Sequence, residues 1–247
     1  MRKKLTAAER LIVAADFKPS EGQGKEWVKS QVLSLANELR GTGVYIKVNS
    51  ILRACGYDLI REIQDCGLKV FADLKLVDIS ETLSTDGALL QEAQPDLLTV
   101  MASAGHEGLV ALKSALPNVE VLAVTILTSL KLYEVALLNG ERSIANSVCI
   151  HAKVAKKAGM DGVICAPTEA TSLRSLLGDG MTINTPGIRP SWAIVPGDDQ
   201  NPDRIMTPAK AIKAGADRIV IGRPIMQAPN RREAAMRTID EIATASL

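Results

Sequence analysis

Val70-Phe71-Ala72-Asp73-Leu74-Lys75-Leu76-Val77-Asp78-Ile79 begins as an apolar run and gives way to charges spaced D-x-K-x-x-D. Side chains of a strand alternate between its faces, so Asp73 and Lys75 share one face. In a closed parallel barrel, that face at the strand's C-terminal end is the mouth of the barrel, where such folds place their chemistry. A lone charge is costly to desolvate there, whereas opposed charges set beside each other are useful. The stretch therefore predicts a barrel strand that ends in a reactive site.

Outward from this strand, similar β-rich runs recur along the whole chain: Leu11–Asp16, Val44–Val48, Lys69–Lys75, Leu97–Met101, Val121–Leu127, Gly162–Ala166, Thr182–Gly187 and Arg218–Gly222. Between them the 3.6-residue periodicity predicts helices, including Glu26–Arg40, Arg53–Asp65, Glu107–Leu116, Ser143–Ala158, Thr168–Leu177 and Thr207–Ala214. Gly43, Gly67, Gly159 and Gly215 stand where left-handed helix caps are expected, just before strands. Continuous apolar strands alternating with helices imply a parallel sheet covered by helices, and eight such units predict an α/β fold of the (β/α)8 (TIM) barrel type, a single domain over residues 1–247. The alternative is an open doubly wound sheet. One that binds a dinucleotide would carry G-x-G-x-x-G after its first strand, where this chain has Ala15-Asp16-Phe17-Lys18. Pro190 to Asp203 is the one long irregular stretch and reads as a functional loop after the seventh strand.

The 247 residues are 47% hydrophobic, 23% charged and 3% aromatic, which suits one well-packed domain with an aliphatic core. A net charge of +1 and few aromatics argue against a nucleic-acid surface, which needs a basic stripe and, for single strands, stacking platforms. A nucleotide-sized ligand remains compatible. Cys55, Cys66, Cys149 and Cys165 form no C-x-x-C pair, and His106 and His151 are the only imidazoles, so reduced thiols used in packing and no zinc site are expected. Arg2, Lys3 and Lys4 precede an apolar run, Leu11 to Ala15, too short for a signal peptide, and no segment approaches the roughly 20 apolar residues of a membrane span. A cytoplasmic protein is expected.

The predicted strand ends carry a strongly polar set: Asp16 on strand one, Lys47 on strand two, Asp73, Lys75 and then Asp78 on strand three, Thr128 and Ser129 after strand five, Gly187 and Arg189 after strand seven, Gly222 and Arg223 after strand eight. Any one of these suits a wet loop. Together, Lys47, Asp73, Lys75 and Asp78 form an alternating chain of charges, which either serves a ligand or is a structural ion-pair network. Ile219-Val220-Ile221-Gly222-Arg223-Pro224 is a buried strand ending at glycine, followed by a guanidinium and a proline suited to helix position N1. With the facing Thr185-Pro186-Gly187-Ile188-Arg189, it predicts a phosphate cradle of the kind barrels build from their last two loops. His151 reads as a helix residue, His106 as a turn or site residue, and Trp192 as either a lid or a loop anchor.

These residues resemble the orotidine 5′-phosphate decarboxylase family through nearly the whole chain. The resemblance rests on Asp73-Leu74-Lys75-Leu76-Val77-Asp78-Ile79 with Thr82, on Asp16 and Lys47-Val48, on Leu127-Thr128-Ser129, on Thr185-Pro186-Gly187-Ile188-Arg189-Pro190, on Arg204-Ile205-Met206-Thr207-Pro208 and on Ile221-Gly222-Arg223-Pro224. It implies a barrel homodimer that converts orotidine 5′-monophosphate to uridine 5′-monophosphate, the last step of pyrimidine nucleotide synthesis, without metal or organic cofactor. On that resemblance Lys75 donates the proton that replaces the carboxylate at C6, Asp73 sits beside that carboxylate, and Lys47 and Asp78 complete the array, Asp78 reaching the partner's site. Asp16 and Thr82 would hold the ribose, Thr128 the pyrimidine edge, and Arg189, Gln200, Gly222 and Arg223 the phosphate. The chain departs from the family in two places: Asp199-Gln200-Asn201-Pro202-Asp203-Arg204 stretches the usual D-Q-x-R spacing by two residues, and Met101 stands where many members carry histidine. The alternatives are a metal-dependent decarboxylase of a 3-keto sugar phosphate on the same scaffold, for which an acidic ligand is expected at the Lys47 position, and a silent uridine-nucleotide-binding barrel, against which Lys75 argues.

Overall fold

The computed structural model describes residues 4–140, 143–193 and 205–245. Within them the elements run β1 (Leu11–Ala14), α1 (Lys25–Glu38), β2 (Tyr45–Val48), α2 (Ser50–Cys55), α3 (Asp58–Gln64), β3 (Lys69–Leu76), α4 (Ser80–Ala93), β4 (Leu97–Met101), α5 (Gly105–Ala115) and β5 (Glu120–Val124). The second half continues with α6 (Leu132–Asn139), α7 (Ile144–Lys157), β6 (Gly162–Ile164), α8 (Ala170–Leu177), β7 (Thr182–Thr185), α9 (Pro208–Lys213), β8 (Arg218–Ile221), α10 (Arg223–Met226) and α11 (Arg231–Ala245). The eight strands pair in sequence order, all parallel, and β8 closes onto β1. The fold is the expected (β/α)8 barrel, and the open-sheet alternative is set aside by that closure.

Both faces of each strand are covered, which is why the strands read as unbroken apolar runs rather than alternating ones. Ile12, Ala14, Tyr45, Phe71, Leu97, Leu122 and Val220 fill the barrel interior, with Ile164 packed against them. The opposite faces, with residues such as Val13, Ile46, Leu98 and Ile183, pack outward against the helices. Helix ends follow local chemistry: the Ser143 hydroxyl accepts the Asn146 N–H ahead of α7, and the Thr207 hydroxyl accepts the Lys210 N–H ahead of α9. The predicted cap glycines adopt positive φ, 74° at both Gly67 and Gly159. No described helix is long and apolar enough to cross a membrane.

At the N-terminal end of the barrel, the interior is polar. Fully buried Arg218 on β8 makes a two-pronged ion pair with Glu120 on β5, at 2.7 and 2.9 Å, and its guanidinium lies 5.2 Å from the centre of the Tyr45 ring. This plug leaves the opposite end of the barrel as the open one.

Two elements differ from the sequence reading. The expected helix Arg53–Asp65 is two helices, α2 and α3, because Gly56 takes φ 87° and breaks the hydrogen-bond ladder between them. β3 is not a regular strand to its end: Ala72 pairs with Leu98 and Leu76 with Val100, so Asp73, Leu74 and Lys75 together face Thr99 alone. Lys75 sits at φ 49°, in the left-handed region. Asp73 and Lys75 nevertheless meet, as the alternation rule predicts, although the strand between them departs from regular geometry.

Candidate active site

At the C-terminal end of the barrel, the strand ends enclose a cavity of about 650 Å³. Its floor is apolar, made by Phe71, Val124, Ile164 and Val220. A charged wall is built by β1 to β3. The Lys47 side chain is 8% exposed, and its ammonium lies 2.8 Å from Asp16 Oδ1 and 3.4 Å from Asp73 Oδ2. The Lys75 ammonium lies 2.6 Å from the same Asp73 Oδ2, and the Thr99 hydroxyl donates to Asp73 Oδ1 at 2.9 Å. The Asn49 amide adds a hydrogen bond to Asp16 at 3.2 Å.

Asp73 is almost fully buried, and burial alone would push its carboxyl up. The Lys47 and Lys75 charges, with the hydrogen bonds from Lys75 and Thr99, outweigh burial and hold it below the usual carboxylate range. The result is a fixed anion facing two cations above an apolar floor. Such a wall stabilises a developing negative charge and holds a proton donor ready.

The other wall carries Thr128 and Ser129 after β5, Arg189 after β7, and Gly222 and Arg223 after β8. β7 stands opposite β3 in the barrel order, so Arg189 follows the strand across the cavity from Asp73 and Lys75, while Arg223 follows β8, the neighbour of β1. Arg189 is set by its backbone: its N–H donates to the Met206 carbonyl at 2.9 Å, next to the Ile188–Met206 bridge that joins the R-I-M-T-P segment to the strand-seven loop. Gly222 caps the single turn α10, with Arg223 at N1 and Pro224 at N2, one position later than expected from the sequence. An elongated ligand with a reacting end and an anionic end fits between the walls.

Of the residues expected at the site, Asp16, Lys47, Asp73, Lys75, Thr128, Arg189, Gly222 and Arg223 line this one cavity. Asp78 and Thr82 do not. Asp78 is exposed, its carboxylate accepts the Ile79 N–H at 2.7 Å, and it borders a shallow depression with Ser103 and His106 instead. Thr82, in the first turn of α4, travels with that segment. Gln200 and most of the Pro190–Asp203 loop lie outside the described residues. His106 bonds to the Glu107 carboxylate at 3.0 Å away from the cavity, and His151 donates from Nδ1 to the Thr125 carbonyl at 2.6 Å, a helix-to-strand tie. Trp192 is an anchor: it packs on the core with the Arg237 guanidinium 5.1 Å from its ring centre. Cys66 and Cys165 are buried, but Cys55 and Cys149 are only half-buried, so the packing role expected for all four holds in full for two. Asn49 and Thr99 went unread in the sequence. Asn49 stands two residues after Lys47, and that i, i+2 spacing at a strand end is the signal the sequence carries; Thr99 offers none.

Among the described residues, no three His, Cys, Asp or Glu side chains come together as metal ligands. Residues 9–238 match the family model described as Orotidine 5′-phosphate decarboxylase / HUMPS family. The chain is similar to orotidine 5′-phosphate decarboxylase of Rhodopseudomonas palustris (strain BisA53), 37% identical over 246 residues that cover 97% of each chain. It is likewise similar to that of Saccharophagus degradans, 36% identical over 243 residues, 96% of this chain and 97% of the other. The fold is similar to the crystal structure of orotidine 5′-phosphate decarboxylase from Lactobacillus acidophilus, with a TM-score of 0.78 and 30% identity over 95% of this chain and 99% of that one.

Proposed function

Because the chain belongs to the orotidine 5′-phosphate decarboxylase / HUMPS family, we propose that it decarboxylates orotidine 5′-monophosphate to uridine 5′-monophosphate with Lys75 as the proton donor. The observation that carries this reading is the shared Asp73 oxygen, 2.6 Å from the Lys75 ammonium and 3.4 Å from the Lys47 ammonium at the edge of the cavity. The bond from C6 to the carboxylate breaks, carbon dioxide leaves, and the electron pair stays at C6 in the plane of the ring, where the π system does not spread it. The Lys75 ammonium stabilises that pair electrostatically and then transfers a proton to C6.

Each tenfold acceleration needs ~1.4 kcal/mol of stabilisation present only in the transition state, so one ion pair does not suffice. Binding of the remote phosphate supplies more: Arg189, Arg223 and the Gly222 backbone take the dianion, Thr128 the pyrimidine edge, and Asp16 the ribose. Gln200 is assigned to the phosphate by family resemblance. Lys47 supports this reading over a metal-dependent relative, since its ammonium occupies the place where an acidic ligand would stand. Asp78 and Thr82, turned away from their own cavity, serve the site of a second copy.

The test follows the ultraviolet absorbance of orotidine 5′-monophosphate after exhaustive chelation. Rapid loss is expected with the wild type and none with folded Lys75→Ala. A wild type that needs magnesium, or that leaves the substrate untouched, would overturn the proposal.

A further inference from the structure

The irregular end of β3 leaves two backbone groups without partners in the sheet, because Asp73, Leu74 and Lys75 face one residue of β4. Buried backbone groups of this kind find partners elsewhere. Here both partners are side chains. The Arg53 guanidinium donates to the Leu74 carbonyl, and the Thr99 hydroxyl accepts the Lys75 N–H at 3.0 Å.

The same Thr99 hydroxyl donates its proton to Asp73 Oδ1 at 2.9 Å. One O–H and its lone pairs serve both bonds at once. Thr99 is fully buried, and it is not among the residues that line the cavity. A single hydroxyl therefore ties down Asp73 Oδ1, which leaves Oδ2 for the Lys47 and Lys75 ammonium groups, and pins the backbone at the point where Lys75 enters the left-handed region at φ 49°. That conformation is unfavourable for a lysine and persists only where its surroundings hold it.

We infer that Thr99 is a positioning residue for the reaction: it locks the bulge that aims Lys75 and selects which oxygen of Asp73 meets the two cations. The inference rests on the decarboxylase reading. It assigns Thr99 no contact with substrate; it acts through Asp73 and Lys75.

Thr99→Val keeps the shape and removes the hydroxyl, and Thr99→Ser keeps the hydroxyl. A misplaced donor typically costs ~10- to 100-fold in turnover. Thr99→Val should therefore lower kcat by about that factor, with affinity for uridine 5′-monophosphate within about threefold of the wild type, because the product needs no aimed proton. Thr99→Ser should return kcat to within about threefold of the wild type. Thermal melts of both variants establish that they are folded. A folded Thr99→Val with wild-type kcat overturns the inference and leaves the decarboxylase reading intact. A parallel loss of kcat and product affinity in both variants also overturns it, since that is what general loosening of the core would give. A wild type that does not turn over orotidine 5′-monophosphate at all removes the reading and the inference with it.

Discussion

Asp73 Oδ2 receives two ammonium groups while Oδ1 receives a hydroxyl, so the whole array depends on this residue being ionised. Its carboxyl is held below the ordinary value, so its ionisation favours the folded state. A depressed folded-state pKa gives stability that is fully present above the unfolded value of about 3.9 and is lost as pH falls through the lower folded value. Asp73→Asn removes that dependence. Below about pH 4, urea midpoints of the wild type should therefore fall more steeply than those of Asp73→Asn, and equal slopes would show that the lysines do not hold the carboxylate. At neutral pH the same variant should lose ~10²- to 10³-fold in kcat/KM, as expected for one preorganised electrostatic partner. The charged residues were legible in the sequence because lysine and aspartate at strand ends are conspicuous against an aliphatic background. Thr99 was not, because a threonine between Leu98 and Val100 on a strand looks like any β-branched residue, and its role exists only through contacts with β3.

β6 shows how tightly the strands determine one another. Gly162 pairs with Leu122 on β5 and with Thr182 on β7, and a Cβ there would lie 2.1 Å from the Thr182 hydroxyl oxygen and 2.6 Å from the Thr182 carbonyl. Thr182 does not yield readily, since its hydroxyl donates to Glu120 at 2.9 Å. Gly162→Ala should lower stability by about 1–3 kcal/mol, the usual cost of overpacking, read as a shift in the urea midpoint at unchanged m-value. An unshifted midpoint would mean that β6 and β7 are more loosely packed than this geometry. The strands were legible to within a few residues because each is a short apolar run after a helix cap, and burial on both faces leaves no other pattern. The split between α2 and α3 and the bulge in β3 were not. Gly56 reads equally well as a tolerated glycine within a helix, and the bulge is bonded by Arg53 and Thr99 from neighbouring elements, partners that residues 73–75 do not announce.

Barrel closure brings Glu120 and Arg218 together at the plugged end, a pairing no local pattern announces, and leaves at the other end a cavity that Asp78 of the same chain does not line. The segment carrying Asp78 is built like a surface to be covered: Val77 and Ile79, 57% and 71% exposed, flank it. Burial and the nearby Asp78 charge both push the Asp86 carboxyl up, so this corner holds acidic groups that favour a cation from another molecule. On the proposed dimer a second copy would offer one, since Lys47 and Lys75 line its cavity. If Asp78 acts across such an interface, Lys75→Ala on one chain and Asp78→Asn on the other damage the same site of a mixed dimer and leave its second site intact. In that mixed dimer, the Asp78→Asn chain keeps its own Lys75 and borrows an intact Asp78, while the other site loses both. Co-expression of the two inactive variants with different tags should then restore about a quarter of wild-type turnover, because half of the dimers are mixed and each holds one intact site. If Asp78 instead served its own chain, every site in the mixture would lack one residue, and activity would stay at the level of the parent variants.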